Sequence, residues 1–408
     1  MSSKERKYIY LNCLNYNGTI FQTQVLDWLN LYAQHGVNFK LIQLFQIKDF
    51  AKLRFIRDQL QGLRRSSNLF NGFLVFLPSK GLYAFLNSIL LYFKLLPYIF
   101  RRNEILIFSR ALIGREINFL RKITNNRIIF YFDARAAAAE EKKYVAINNK
   151  NFSLNKYVSI ANIYYLEYKT LKSADKIFTV SKVLQDYFHK TFAIDSEKFV
   201  HYPCLSDSKK FYFNPQVRKQ IRKELEIPEE KIVFIYPGGI GSEWHVAKQM
   251  LRFFNDFVTN YENVVLVLLT RYKDLPNLLS GYPNLRNKCI SFYVPNHEVY
   301  KYLNSADFGI LFRENTVMNN VASPTKFAEY MLCGLPVLIS EGVGDYSDFT
   351  RLHKVGITVN ELELRNAGME IFKTIYDQKF DRLRIADVGI KYFSKGSIIN
   401  ELVDAFKI

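Results

Sequence analysis

Apolar and polar positions along the chain fall into short apolar runs separated by stretches of helical spacing. Lys7–Asn15 is the first apolar run, and Asn17-Gly18-Thr19 turns it. Ile20–His35 then places Val25, Leu26, Leu29 and Leu31 at helical spacing; Gly36 ends that helix and Phe39–Leu44 is the next strand. Ile105–Ser109 and Arg127–Phe132 read as strands with a helix at Glu116–Thr124 between them. Lys176–Val180 is a further strand, followed by a helix at Val183–Thr191. Short apolar strands alternating with helices predict an α/β fold with a parallel sheet covered on both faces.

Tyr202–Pro228 interrupts the alternation with Pro203, Pro215, Pro228 and a mixed-charge helix, and is read as containing a domain connection. Strands resume at Lys231–Tyr236, Val264–Leu269, Ile290–Tyr293, Phe308–Phe312 and Pro336–Ile339. Helices at Arg365–Asp377 and Ile398–Lys407 close the chain. A chain of 408 residues exceeds one ordinary core and suits two domains. Two Rossmann-like halves follow, and in such folds ligands bind beyond the carboxyl ends of the strands.

Composition changes this picture mainly through charge. The chain carries a net +18, and 16% of its residues are aromatic. Residues 1–200 hold 30 Lys and Arg against 14 Asp and Glu, whereas 201–408 hold 26 against 24. The excess peaks over 48–127, with 15 basic and 4 acidic side chains. A cationic first half implies an anionic partner there. Cys13, Cys204, Cys289 and Cys333 lie far apart with no C-x-x-C or Cys/His cluster, so neither a zinc site nor a disulfide framework is expected. A reducing, cytoplasmic setting follows. The N-terminus has basic residues but runs straight into a strand-like segment without a small-residue cleavage site, so it does not read as a signal peptide.

Leu82–Phe100 is the most apolar long segment, but Asn87, Lys94 and Pro97 interrupt it and Arg101–Arg102 follow. It is read as interfacial or buried rather than spanning. With the upstream Arg54, Arg57, Arg64 and Arg65 it forms a membrane-contact candidate: apolar side chains at the headgroup boundary and cations against anionic lipid. The alternative is a buried core helix with solvated basic neighbours.

Several chemistries are excluded by missing motifs. There is no G-x-x-x-x-G-K-[ST], no G-x-G-x-x-G near the early Gly18, and no H-E-x-x-H, G-x-S-x-G or D-x-D. The most informative stretch is Ser323-Pro324-Thr325-Lys326, followed by Glu329-Tyr330 and Gly334 through Val337. Pro324 suits the first helical position, with Ser323 as its N-cap. Free N–H groups at that helix start, with Lys326 in the first turn, make an anion site. Glu329, about one and a half turns in, is placed to accept two ribose hydroxyls. The alternative is a capped surface helix with an ordinary solvated Glu.

S-P-T-K-x-x-E-Y-M-x-x-G-L-P-V resembles the nucleotide-sugar site of glycosyltransferase family 4, which has the two-domain GT-B fold. Phe199–Pro203 resembles the strand and proline before that family's second domain. Ser173–Ser181 (SADKIFTVS) resembles its A-D-x-I-x-x-V-S, and Tyr236–His245 (YPGGIGSEWH) its Gly-rich turn. Val299–Leu311 (VYKYLNSADFGIL) resembles a further motif around an Ala-Asp pair. The resemblance covers Lys176–Ile339 well and the first 130 residues loosely. It implies two Rossmann-like domains facing a cleft, 1–203 and 204–384, with about 385–408 crossing back to the first. It also implies retaining, metal-independent hexosyl transfer with no cofactor, a nucleotide-diphosphate sugar being the donor substrate.

Carried over by position, Glu329 holds the ribose, and the Ser323, Pro324, Thr325 and Lys326 backbone holds the diphosphate. Gly238 and Gly239 let the opposite loop approach the phosphates. Two departures stand out. The family's second Glu, eight residues before the ribose Glu, is Val321 here, and its Arg and Lys in the Gly-rich turn are replaced by Gly239, Ile240, Gly241 and Trp244. Arg313, Lys326 and Lys248 are the nearest substitute cations, and Arg271 is a candidate for touching the base.

In the first domain Arg110 follows one strand end and Asp133-Ala-Arg135 the next, with Glu140–Glu141 beyond. This resembles an R…F-D-x-R-G…E-E arrangement of some family branches, with Ala136 in place of Gly. Asp133, Arg110 and Lys326 are therefore the catalytic candidates, and Asn17, Gly18, Thr19, Arg135 and Glu141 the acceptor- or cleft-side candidates. The competing reading is an Arg110–Asp133 ion pair that steadies adjacent loops. The expected protein is a transferase at the inner face of a bacterial membrane, adding sugar to a lipid-linked or polysaccharide acceptor. Two further readings remain open at this point: a catalytically silent GT-B partner subunit, and a basic nucleic-acid-binding protein without a recognised motif.

Overall fold

The computed structural model describes residues 6–15, 18–78, 82–101, 103–148, 154–240, 246–366 and 368–407. Asn17, Arg102, Gly241, Trp244 and the end of the Gly-rich turn lie outside them. The chain divides into two units: one runs through Tyr202 and includes Ile399–Ile408, and the other is Pro203–Ile398.

The first unit is built on seven parallel strands: β1 (Arg6–Asn12), β2 (Phe39–Gln46), β3 (Phe70–Phe76), β4 (Glu104–Ser109), β5 (Ile128–Ala134), β6 (Lys176–Thr179) and β7 (Phe199–His201). They lie in the order β3-β2-β1-β4-β5-β6-β7. The order reverses between β1 and β4, so their carboxyl ends form the switch point of a doubly wound sheet. Near-continuous burial along β4 and β5, and along β1 from Ile9 onward, explains why these runs read as strands. The edge strand β3 escaped that reading because Asn71 and Gly72 break its apolar pattern. The closing helix, Ile399–Lys407, belongs to this unit because Phe406 sits among the rings of Tyr32, Phe39, Phe108 and Phe178, at centroid distances of 5.0–5.3 Å. The return begins at Ile399 rather than near residue 385, because helix Arg382–Phe393 packs on helix Thr325–Leu332 of the second unit.

The second unit has six parallel strands: β8 (Ile232–Pro237), β9 (Val264–Leu269), β10 (Cys289–Phe292), β11 (Phe308–Leu311), β12 (Val337–Ser340) and β13 (Gly356–Val359). Their order is β10-β9-β8-β11-β12-β13, reversing between β8 and β11. Much of the aromatic excess is core: Phe234 stacks on Phe308 at 5.1 Å and Phe257 on Phe372 at 4.7 Å. The C-terminal helical segment expected over Arg365–Asp377 is split into Glu361–Arg365 and Met369–Asp377.

The two Ala-Asp motifs perform one structural task twice. Asp175, just before β6, accepts a hydrogen bond from Phe130 N at 2.8 Å and pairs with Arg121, while its own N–H donates to Phe130 O at 2.8 Å. Asp307, just before β11, accepts from Val233 N at 2.8 Å and pairs with Arg222 at 2.6 Å and Arg218 at 2.8 Å; its N–H donates to Val233 O. Each aspartate pins the register of an inner strand against its neighbour and neutralises a buried or half-buried arginine.

Candidate functional site

The second unit gathers its chemistry at the carboxyl ends of β8 and β11. Helix Thr325–Leu332 follows β11, and its N-cap is Pro324 in extended conformation (φ −65°, ψ 121°) without a side-chain cap. Ser323 is not the N-cap the sequence predicted. Its hydroxyl accepts from Cys204 N at 2.9 Å and shares a hydrogen bond of 2.6 Å with the Tyr346 hydroxyl. The serine anchors the approach to the helix, and the helix start keeps backbone N–H character without a competing side-chain oxygen.

Lys326, in the first turn, turns toward the glycine turn after β8. Its ammonium donates to the Tyr236 hydroxyl at 3.2 Å and lies 4.4 Å from the centre of that ring. Gly238, at φ +132°, leaves the space open: a Cβ there would meet Lys326 Nζ at 2.9 Å. At Gly239 an added Cβ would meet nothing within 4 Å. Burial, and then the neighbouring Arg313 charge, hold the Lys326 ammonium down to about 7, against the partial support of Glu329. Glu329 is half-buried on the same helix, and burial pushes its carboxyl up to about 7 despite Lys326. Among the described residues no protein group hydrogen-bonds that carboxyl, which leaves its oxygens for a ligand.

Arg313 follows β11. Its backbone exchanges hydrogen bonds with the Ser340 hydroxyl, and its Nε is buried without an acceptor among the described residues. Burial pushes its guanidinium below the ordinary arginine value. Arg313 also lines a cavity of about 410 Å³, counted with its open mouth, together with Gln249, Glu314, Asn315, Ser340 and Glu341. Arg271 is exposed, and its guanidinium carbon stands 3.7 Å from the centre of the Tyr293 ring, past the ends of β9 and β10. Val321, where the resemblance leads one to expect a second Glu, is a buried apolar side chain beside helix Val317–Asn320.

In the first unit, Asp133 at the end of β5 is clamped through both carboxylate oxygens. Arg110 Nε reaches Oδ2 at 2.7 Å and Arg135 Nε reaches Oδ1 at 2.5 Å, while the Tyr10 hydroxyl stands 3.4 Å from Oδ2. Arg110 continues to Gln24 O at 3.0 Å, and Arg135 stacks on Tyr202 at 4.1 Å. Burial works most strongly against the Arg110 charge, but Asp133 and Tyr10 together outweigh it, and the arginine titrates above its ordinary value. The ion pair that sequence reasoning weighed against a catalytic pair is thus present, with a second arginine added. Gly18 forms the turn after β1, its N–H donating to Asn15 O at 3.1 Å. Thr19 opens the following helical run, and Glu141 is exposed on helix Ala138–Asn148.

Two residues of these sites carried no signal in the sequence. Tyr236 reads there as one more apolar strand residue. Glu167 lies 28 or more positions from the helix it caps, accepting from Ala138 N at 2.6 Å and Ala139 N at 3.3 Å. Among the described residues no three His, Cys, Asp or Glu side chains are grouped so as to hold a metal.

No family model matches the chain, and no curated protein matches it. Solved structures do. HepE of Anabaena in complex with UDP-glucose superposes with a TM-score of 0.63 at 12% identity, covering 98% of this chain and 99% of that one. The lipopolysaccharide outer core galactosyltransferase WaaB gives 0.66 at 11% identity, covering 99% and 100%. Sucrose-phosphate synthase of Thermosynechococcus elongatus gives 0.63 at 14%, covering 99% and 98%. At such identities the likeness is one of fold, and that fold is GT-B.

Proposed function

We propose that this chain is a retaining, metal-independent hexosyltransferase of family 4 type, transferring sugar from a nucleoside-diphosphate donor to a lipid-linked or polysaccharide acceptor of a bacterial surface glycan. One observation carries the reading: the Lys326 ammonium stands at a helix start against the bare backbone of Gly238, with the unpartnered Glu329 carboxyl further along the same helix. That set fits a diphosphate and a ribose. The nucleotide sugar held by HepE and the galactosyl transfer named for WaaB support the same substrate class.

In this reading Lys326, Arg313 and the backbone N–H groups of Thr325 and Lys326 hold the diphosphate and take up the charge that develops as it leaves. Glu329 accepts the ribose hydroxyls, and Arg271 on Tyr293 offers a planar face to the base. Burial of Lys326 lowers its proton affinity, and a bound anion would favour the full ammonium charge. On the acceptor side Gly18, Arg110, Asp133, Arg135 and Glu141 are the residues available. Asp133 is held by both arginines and fixes Arg110 and Arg135 in place.

We further propose that the first unit docks peripherally on anionic membrane at the cytoplasmic face. No helix among the described residues is long and apolar enough to cross a membrane. Helix Leu82–Ile99 instead buries Leu91 and Leu95 on one face and exposes Leu90 and Phe93 on another, Phe100 just beyond it being 78% exposed. Arg54, Arg57, Arg64 and Arg65 are exposed on helix Leu53–Ser66.

Calorimetric titration of UDP, GDP, ADP and CMP into the wild type and Glu329→Ala tests the donor site. One nucleoside diphosphate bound at micromolar strength and lost in the variant supports it. Silence across all four overturns it in favour of a catalytically silent partner subunit, which the buried Val321 would suit.

A further inference from the structure

Lys326 has no ion-pair partner among the described residues, and the charged groups that face it are Arg313, which repels it, and Glu329, whose carboxyl is itself disfavoured as an anion. A long side chain in that situation would ordinarily swing toward water, since its rotamer freedom and hydration both favour leaving. It does not, and the reason lies on β8. Tyr236 is buried to 4% exposure in the aromatic core of the second unit, with Phe312, Ile240 and Met250 around the same small cavity. Its ring is therefore fixed. Its hydroxyl accepts from Lys326 Nζ at 3.2 Å and donates to Gly239 O at 3.2 Å. The ring face adds a cation–π contact at 4.4 Å.

We propose, resting on the donor-site reading above, that Tyr236 is the positioning residue of the diphosphate site: its hydroxyl links the first turn of helix Thr325–Leu332 to the glycine turn after β8 and holds the Lys326 ammonium over Gly238. Two chain segments that contact a diphosphate from opposite sides are thereby set at a fixed gap before ligand arrives. The hydroxyl is the element that matters, because the ring alone would attract the ammonium without fixing the Gly239 carbonyl. Tyr236 acts through Lys326 and does not itself contact the ligand.

The test is binding of inorganic pyrophosphate, a probe that carries neither base nor sugar, in 0.15 M salt across pH 6–8.5. Tyr236→Phe keeps the ring and removes only the hydroxyl, so the variant folds and its thermal unfolding serves as a control. Expected is a loss of affinity of roughly 10- to 100-fold, the scale of one hydrogen bond to a charged group. The pH above which binding fades moves lower than in the wild type, because the ammonium has lost an acceptor. In a Lys326→Met background, measured at raised pyrophosphate, the same Tyr236→Phe change has no effect. Wild-type affinity and an unmoved pH profile in Tyr236→Phe overturn the proposal, as does a loss that persists without Lys326. Failure of the wild type to bind pyrophosphate or any nucleoside diphosphate overturns the donor-site reading, and this proposal with it. Binding abolished by Lys326→Met but indifferent to Tyr236→Phe leaves the donor reading intact and removes Tyr236 alone.

Discussion

The Lys326 ammonium occupies the space that a side chain at Gly238 would fill, a Cβ there standing 2.9 Å from Nζ. The backbone at Gly238, φ +132°, is also one that residues with a Cβ rarely adopt. Gly238→Ala therefore displaces the lysine or distorts the turn. Expected is a loss of pyrophosphate binding of at least tenfold and a loss of stability of about 1–3 kcal/mol. Gly239→Ala, where an added Cβ meets no protein atom within 4 Å, separates crowding of the ligand from displacement of the lysine. Equal binding in wild type and Gly238→Ala would remove the glycine turn from the site.

Protonation gives a second handle. Burial holds the Lys326 ammonium down to about 7, so before a ligand binds at pH 8 the lysine is expected to carry only part of its charge. A bound diphosphate favours the charged form and raises that value, so binding takes up a proton. Affinity then falls as pH rises above about 7, approaching tenfold per pH unit where one proton is linked. Titrations in two buffers of different ionisation enthalpy measure the uptake directly. No uptake at pH 8 would mean that Lys326 is already charged or stands outside the site.

Asp133 supports a prediction about stability rather than binding. Its two oxygens serve Arg110 at 2.7 Å and Arg135 at 2.5 Å, and it is 2% exposed. Asp133→Asn leaves two buried guanidinium groups sharing one neutral oxygen. The first unit should lose about 3–5 kcal/mol, the usual cost of breaking a buried pair from one side. Pyrophosphate binding, which belongs to the second unit, should be unchanged. A stable Asp133→Asn with abolished transfer would assign the residue to chemistry.

These particulars show where the sequence was legible. Alternation of buried runs and helices announced both sheets, because strands such as Val264–Leu269 are buried along their whole length. The Ala-Asp motifs were visible too, but spacing does not disclose that Asp175 and Asp307 pin neighbouring strands. Ser323-Pro324 looked like a capped helix start because the local rule favours serine; a tertiary demand from Cys204 N and Tyr346 took the hydroxyl instead. Tyr236 was hidden for a related reason. Its ring serves the core like any apolar residue, and only its hydroxyl, aimed at a residue 90 positions away, distinguishes it.

Glu116 offers a test of burial alone. It is 1% exposed in helix Gly114–Ile123, its Oε2 meets no partner among the described residues, and burial raises its carboxyl above the ordinary value. A carboxyl raised on folding contributes stability that is fully present below its unfolded value and is lost as pH rises through its folded one. Glu116→Gln removes that loss. The variant should be more stable by about 1 kcal/mol at pH 7–8, with the gain vanishing near pH 4. A destabilised variant at pH 8 would mean that the carboxylate has a partner in solution.

The membrane reading turns on whether the exposed face of helix Leu82–Ile99 and the arginines of helix Leu53–Ser66 act together. Phe93 is 60% exposed and Phe100 78%, beyond what a solvated helix of a water-facing unit needs. Sedimentation with vesicles of phosphatidylglycerol and phosphatidylcholine separates the contributions. Each cation near an anionic surface is worth about 1 kcal/mol, so replacing Arg54, Arg57, Arg64 and Arg65 with Gln should cut partitioning by roughly two to three orders of magnitude at low salt. High salt should erase that difference, because the Debye length shrinks to about 3 Å at 1 M. Phe93→Ser should weaken binding by about tenfold at every salt concentration, since insertion of an apolar ring is not screened. If the quadruple variant binds anionic vesicles as the wild type does, the cationic face is directed at something other than lipid. Unchanged binding of short oligonucleotides by that variant would then remove nucleic acid as well.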